Sequence, residues 1–256
     1  MDGPPSILLT NDDGIESPGL RALYDGLADV GDVTAVAPAS DQSAVGRSMS
    51  SEVAVRDHEL GYAVEGTPSD CVVAGLDALC PDPDVVVSGS NEGANLGMYV
   101  LGRSGTVSAA VEAAFFDVPA IATSLYLPQD KFGTGTTYDE HRDAVRATSY
   151  LVDHALDTGV FDHADYLNVN APLPGDDPAP MQVTVPSHAY DMAARHEGET
   201  VTLHDQMWER IENGDIDDPE GTDRRAVMDG SVSVSPLTAP HTTERHEILD
   251  ALAETY

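Results

Sequence analysis

The sequence predicts an α/β fold: a Rossmann-like, doubly wound parallel sheet with a C-terminal β-rich appendage and a closing helix. Three observations predict it. Short apolar runs recur up to about residue 125, each without the alternation of a half-exposed strand, as expected for strands buried on both faces. Apolar residues at helical spacing lie between them, and each run ends in a loop rich in Asp, Ser, Asn or Gly. Strands alternating with helices form a parallel sheet whose ligand-binding loops gather beyond the carboxyl ends of the strands.

The elements follow in order. Ile7-Leu8-Leu9-Thr10-Asn11 reads as the first strand and runs into Asp12-Asp13-Gly14. Ser17 and Pro18 form an N-cap and first-turn pair for a helix burying Leu20, Leu23, Leu27 and Val30. Val33–Ala37 is a second strand, ended by Pro38, and Val53, Val55, Tyr62 and Val64 suggest a hairpin within 50–66. Thr67-Pro68-Ser69-Asp70 starts a helix with Val72, Val73, Leu76 and Leu79 on its buried stripe. Val85–Val87 is a third core strand, Ser104 caps a helix carrying Val107, Val111 and Phe115, and Ile121 centres a fourth strand. A helix is expected over 139–157 and a strand at Tyr166–Asn170, followed by a proline-rich loop over 171–180. The stretches 181–204 and 224–237 read as antiparallel strands around an acidic excursion at 212–223, and Ile248, Leu249 and Leu252 suggest the closing helix. This divides the chain into an α/β core over 1–180 and an appendage over 181–256.

Composition narrows the function. The 256 residues carry a net charge of −33 with 41% hydrophobic residues, and the acids are scattered between apolar runs, which excludes an acidic disordered tail. Lys131 is the one lysine among 12 basic residues. An evenly acidic, lysine-poor surface is that of a protein adapted to molar salt, where screening relieves self-repulsion. The same charge argues against nucleic-acid polymers as partners. Cys71 and Cys80 are too few for a zinc knuckle and read as buried apolar fillers. No leader and no apolar stretch of membrane-spanning length is visible, so no membrane association and a cytoplasmic location are expected.

Three loops are expected on one sheet edge: Asn11–Gly14, Ser40–Gly46, and Ser88–Gly97 running on to Arg103–Thr106. An acidic surface turn is the plain alternative for Asp12 and Asp13, but adjacent carboxylates at a strand end repel each other and call for a cation. The donors in these loops are carboxylate, hydroxyl and amide oxygens, which suit magnesium or manganese, with calcium as the alternative. The helix starting at Ser104 offers backbone N–H groups and a hydroxyl cap to a phosphate. A divalent ion facing such a cradle suggests phosphate-ester hydrolysis by metal-activated water.

The run Ile7–Ile15 with Pro18-Gly19-Leu20 resembles the opening of the SurE family of survival-protein phosphatases. The resemblance continues through Gln42-Ser43 and Gly46, Gly66–Val72, Val87–Asn91, Asn95-Leu96-Gly97, Ser104–Val107, Leu167–Pro172, Thr222-Asp223 and Val232–Leu237, nearly the whole chain. It implies a metal-dependent phosphomonoesterase acting on nucleoside 5′- and 3′-monophosphates, with short polyphosphate as a further substrate in some members. It also implies Asp12, Asp13, Ser43 and Asn91 as metal ligands, with Asp12 orienting the attacking water. Asn95 and Ser104-Gly105-Thr106 are implied as phosphate contacts, and a dimer or tetramer formed by exchange of C-terminal segments is expected. Tyr99 stands where the family usually has an aspartate, and Leu101-Gly102-Arg103 runs one residue longer. Arg103 either adds a cation against the phosphate or is a solvated loop residue. Glu92 reads as an exposed acid rather than a base. The nine histidines lack ligand spacing and are expected mostly at the surface, with His188 and His241 as weak candidates near substrate. Trp208 and Tyr190 are expected to pack within the fold rather than against a base.

Rival readings are weaker. A dinucleotide module would need G-x-G-x-x-G in the first turn, and the carboxylates would repel a pyrophosphate. A receiver-like, magnesium-binding signalling module also opens with an acidic pair. It would need an aspartate where the third core strand ends in Ser88-Gly89, and a lysine nearby. A phosphatase working through a phospho-enzyme would carry Asp-x-Asp-x-Thr, which is absent here.

Overall fold

The computed structural model describes residues 3–239 together with 248, 252 and 253. The elements, in chain order, are β1 (Ser6–Thr10), α1 (Pro18–Leu27), β2 (Asp32–Pro38), β3 (Val55–His58), β4 (Gly61–Val64), α2 (Pro68–Ala74), β5 (Val85–Glu92), α3 (Met98–Leu101), α4 (Gly105–Phe115), β6 (Ala120–Leu125), α5 (Arg142–Ala155), β7 (Tyr166–Ala171), β8 (Met181–Val183), β9 (Met192–Glu197), β10 (Thr200–Asp205), α6 (Met207–Glu212), α7 (Asp223–Met228) and β11 (Val232–Leu237). The main sheet has nine strands in the order β3-β4-β2-β1-β5-β6-β7-β11-β8. The strands from β4 through β7 in that order are mutually parallel, while β3 and β11 each run antiparallel to their inner neighbours, β4 and β7.

Continuous apolar sequence follows from burial on both faces of this sheet. Ile7 and Leu9 of β1 face a core with Leu20, Leu23 and Leu27 of α1 and Ala144, Ala147 and Val152 of α5. Leu8, between them, faces the opposite core with Cys71 and Val72 of α2 and Val107, Ala109, Ala110 and Ala113 of α4. Small residues on α4 let that helix lie close to the sheet. Both cysteines are buried and free, and burial pushes the Cys71 thiol far up, so they act as packing groups.

The expected N-caps form. The Ser17 hydroxyl accepts from Leu20 N at 3.3 Å and the Ser104 hydroxyl from Val107 N at 3.1 Å. Thr67 and Asp70 make a reciprocal capping box. The hairpin within 50–66 is β3–β4, and it joins the main sheet through β4.

The second half departs from the expectation in specific ways. Residues 224–237 are not one strand: they open inside α7 and only then form β11. Strand β8 pairs with β11 in parallel, and the antiparallel partner of β11 is β7. The hairpin β9–β10 is a separate two-stranded sheet. The helix α6 precedes the acidic excursion, where an extended segment was expected. Ile248 and Leu252 are helical and exposed, whereas Leu249 of the expected closing helix lies outside the described residues. Among the described residues no helix is long and apolar enough to cross a membrane.

Leu8 is fully buried on the α2/α4 side. Leu8→Ala is expected to cost about 2–5 kcal/mol of unfolding free energy, measured by denaturant titration in molar salt; a loss well under 1 kcal/mol would contradict this packing.

Candidate active site

Strand order reverses between β1 and β5: β2 lies outside β1, and β6 and β7 lie outside β5. In open parallel sheets that reversal opens a crevice at the carboxyl ends of the two strands. Asp12 and Asp13 follow β1 there, and Asn91 sits near the end of β5. A cavity of about 390 Å³ is lined by Asp12, Ser43, Asn91, Asn95, Arg103 and Ser104, among others. Thus all three expected loops meet on one edge.

Each donor is held by its neighbours. Asp13 Oδ2 accepts from Glu92 N at 3.0 Å, which locks the first loop onto the end of β5. The second loop is tied in by Gln42 N, which donates to the Asp12 carbonyl at 2.7 Å. Gly14, at φ +100°, packs against the backbone of Ser40 and Asp41, a conformation and an approach that favour glycine. Ser43 donates its hydroxyl to Asp41 Oδ1 at 2.6 Å, leaving the oxygen lone pairs available. Asn91 Nδ2 donates to the Gly93 carbonyl, so its Oδ1 is turned the other way.

The start of α4 abuts the same carboxylates. A Cβ on Gly105 would stand 2.8 Å from Asp12 Oδ2, so only glycine allows the approach. Thr106 Oγ1 donates to Asp12 Oδ1 at 2.6 Å, and the Thr106 backbone N–H also faces that carboxylate. Thr106, expected as a phosphate contact, is therefore directed at Asp12. Ser104 uses its oxygen as the cap acceptor, and its own O–H remains a donor toward the cavity. Asn95 is placed by β7: Asn170 Oδ1 accepts its N–H at 2.8 Å, and Asn168 Nδ2 donates to its carbonyl at 2.9 Å. Its side-chain Nδ2 donates to Ser124 at 2.9 Å.

Electrostatics define what the site lacks. Burial raises the Asp12 carboxyl above its ordinary value. Asp13 is pushed up to about 7, first by burial and then by the charge of Asp12. Asp41 and Glu92 add further negative field. Among the described residues, no basic side chain forms an ion pair with any of these four acids. No cluster of three or more His, Cys, Asp and Glu with ligating geometry occurs among the described residues either. A cation here would therefore rest on Asp12 and Asp13 plus the neutral oxygens of Ser43 and Asn91. That all-oxygen set of limited charge fits a hard divalent ion.

Several residues carry roles that sequence reasoning missed. Asp41 orients Ser43, and its side-chain turn spacing, two residues apart, is the signal that could have revealed it. Asp223 accepts from Gly97 N at 2.7 Å and Ser187 N at 2.9 Å, anchoring the far end of the glycine-rich loop. Arg224 and Asp218 form a buried pair beside it at 2.9 Å. Glu92 is not a free surface acid: its Oε2 accepts from the N–H and hydroxyl of Thr136, both at 3.1 Å. His141, against the surface expectation, is fully buried between Thr136 and Ser90, 2.9 Å from each hydroxyl.

Other candidates lie at or beyond the rim. Arg103 lines the cavity, but its guanidinium lies over the Tyr99 ring at 4.0 Å. Tyr99 also stacks on Tyr190 at 4.8 Å. His188 is exposed, and His241 lies outside the described residues. Trp208 packs on Tyr126, as a structural aromatic would, yet it also lines the cavity.

Fold and site together define a Rossmann-like α/β protein with an acidic, oxygen-lined crevice abutting a helix start. A profile of the family described as "Survival protein SurE" matches residues 7–192. The chain belongs to that family. It is 68% identical over 256 residues to a 5′-nucleotidase SurE of Haloarcula marismortui, covering 98% of this chain and 95% of that protein. A 5′-nucleotidase SurE of Halobacterium salinarum is 67% identical, with 97% of each chain covered. Among solved structures, the SurE protein from Aquifex aeolicus superposes with a TM-score of 0.80 at 30% identity, covering 98% of this chain and 99% of that one.

Burial holds the His141 imidazole down at about 4, below its ordinary 6.5. The unfolded chain takes up a proton below 6.5 whereas the folded chain does so only near 4. Stability is therefore lost as pH falls through that window, by up to about 1.4 kcal/mol per pH unit from this group. Denaturant unfolding between pH 7 and 4 should show a shallower loss for His141→Gln than for the parent; equal slopes would contradict the assignment.

Proposed function

We propose that this chain is a metal-dependent phosphomonoesterase that hydrolyses nucleoside 5′- and 3′-monophosphates to nucleoside and inorganic phosphate. The observation that carries the reading is the contact between Asp12 and the first turn of α4, which brings the carboxylate pair and an anion-accepting helix start into one cavity. The names of its high-identity relatives point to the same activity.

Asp12, Asp13, Ser43 and Asn91 would hold the divalent ion, magnesium or manganese. When bound, that ion supplies charge neutralisation at the phosphoryl oxygens and lowers the pKa of water. The Ser104 hydroxyl, the Gly105 backbone N–H and the Asn95 amide are the donors for the phosphate. Thr106 acts through Asp12: it fixes Oδ1 and leaves Oδ2 to orient the attacking water. Short polyphosphate presents the same terminal phosphoryl group and is a secondary substrate in this reading. The acidic, lysine-poor composition places the working protein in a salt-rich cytoplasm, and residues 181–256 are the segment exchanged between subunits of a dimer or tetramer.

The receiver-like alternative has no support. Strand β5 carries Ser88-Gly89 where a phospho-accepting aspartate would stand, and Lys131 is paired with Glu140.

Phosphate release from a panel of 5′- and 3′-mononucleotides, assayed in molar salt with added magnesium or manganese, tests the proposal. Chelation is expected to abolish turnover, and Asp12→Asn to lower kcat by about 100-fold or more. Full turnover in either condition would overturn it.

A further inference from the structure

A second cavity, of about 340 Å³, opens beside the acidic crevice and is lined by Tyr126, Leu127, Phe132, His204, Asp205 and Trp208, among others. Its character differs from that of its neighbour: three aromatic rings form its walls. Phe132, Asp205 and Trp208 line both cavities. The two spaces are therefore halves of one cleft, with oxygen donors at one end and aromatic faces at the other.

From this juxtaposition we infer that the aromatic half is a nucleobase subsite, in which the base of a mononucleotide lies against Trp208 and Phe132 while its phosphate occupies the Ser104 end. The inference rests on the nucleotidase reading above and gives that site its preference for nucleotides over simple phosphate esters. Asp205, at the boundary between the halves, stands where the ribose would lie and offers a carboxylate to its hydroxyls. The Asp205 Oδ1 atom accepts from Met207 N at 3.0 Å, which fixes the carboxylate at the start of α6.

The aromatic walls are held before any ligand arrives. Trp208 stacks on Tyr126 with ring centroids 6.5 Å apart and planes inclined by 26°. The Phe132 ring packs over Gly93, on the loop that carries Asn91. The segment bearing Phe132 is tied down by Thr136, which reaches Glu92 on one side and His141 on the other. The Glu92–Thr136–His141–Ser90 chain thus links the aromatic wall to the end of β5 and holds it at a set distance from the metal-side donors. Yet 61% of Phe132 remains exposed, leaving a ring face open to a planar ligand.

Stacking also suits a protein with a net charge of −33. Salt that screens charge-based capture of an anionic substrate leaves contact between aromatic faces in place.

Trp208 is the only tryptophan of the chain, so its fluorescence reports directly on the subsite. Adenosine, which the proposed reaction cannot consume, is expected to quench that emission saturably, and ribose is not. Phe132→Ala should weaken adenosine binding about 10-fold, in line with the loss of one stacking face, while Phe132→Tyr retains it. In parallel, Phe132→Ala should lower kcat/KM for AMP about 10-fold relative to kcat/KM for ribose 5-phosphate. Equal responses to adenosine and ribose, or an unchanged AMP to ribose 5-phosphate ratio in Phe132→Ala, would overturn the subsite. Adenosine-specific quenching in a protein that releases phosphate from neither ester would remove the nucleotidase reading and leave the subsite standing.

Discussion

Uncompensated negative charge at the switch between β1 and β5 is the constraint on which the rest of the site depends. Asp12 and Asp13 are carried into a largely buried crevice by the strand before them, and Asp41 and Glu92 add to the field. Burying like charges without a counter-ion is costly. The chain spends its neutral donors on holding those carboxylates in place: Thr106 on Asp12, and the Glu92 N–H on Asp13. A cation is the missing partner, and the loops around it are arranged for the phosphate it would attract.

The surrounding architecture keeps that arrangement rigid. Strand β7 lies two strands from β5, yet its Asn168 and Asn170 reach the Asn95 backbone and hold the glycine-rich loop. Asp223, at the start of α7, holds the other end through Gly97. The C-terminal part of the chain is thus mechanically joined to the site, although its residues are far from Asp12 in sequence. On the opposite wall, Thr136 and the buried His141 secure the segment that brings Phe132 to the cleft.

Much of this was legible in the sequence, for physical reasons. Strands buried on both faces must be continuously apolar, so Ile7–Leu9 and Val85–Val87 announce themselves, and the loops that follow fall on one edge by topology. Ser17, Thr67 and Ser104 mark helix starts because a hydroxyl there satisfies an otherwise orphaned N–H. What was hidden depends on distant partners. Arg224 and Asp218 read as surface charges until they are seen to neutralise each other in the interior. The α7 helix, opening Asp-Arg-Arg, has no apolar stripe strong enough to separate it from the following strand. His141 reads as exposed because the groups that hold it, Ser90 and Thr136, are recognisable only in space. Trp208 gave no sign that one ring could both pack on Tyr126 and line a cleft.

Manganese titration of the purified protein, followed by the loss of its free-ion electron paramagnetic resonance signal, tests the central claim most directly. The account predicts one ion taken up per chain, with uptake weakened at least 10-fold in Asp13→Asn. Uptake that is absent from the parent, or unchanged in Asp13→Asn, would contradict it.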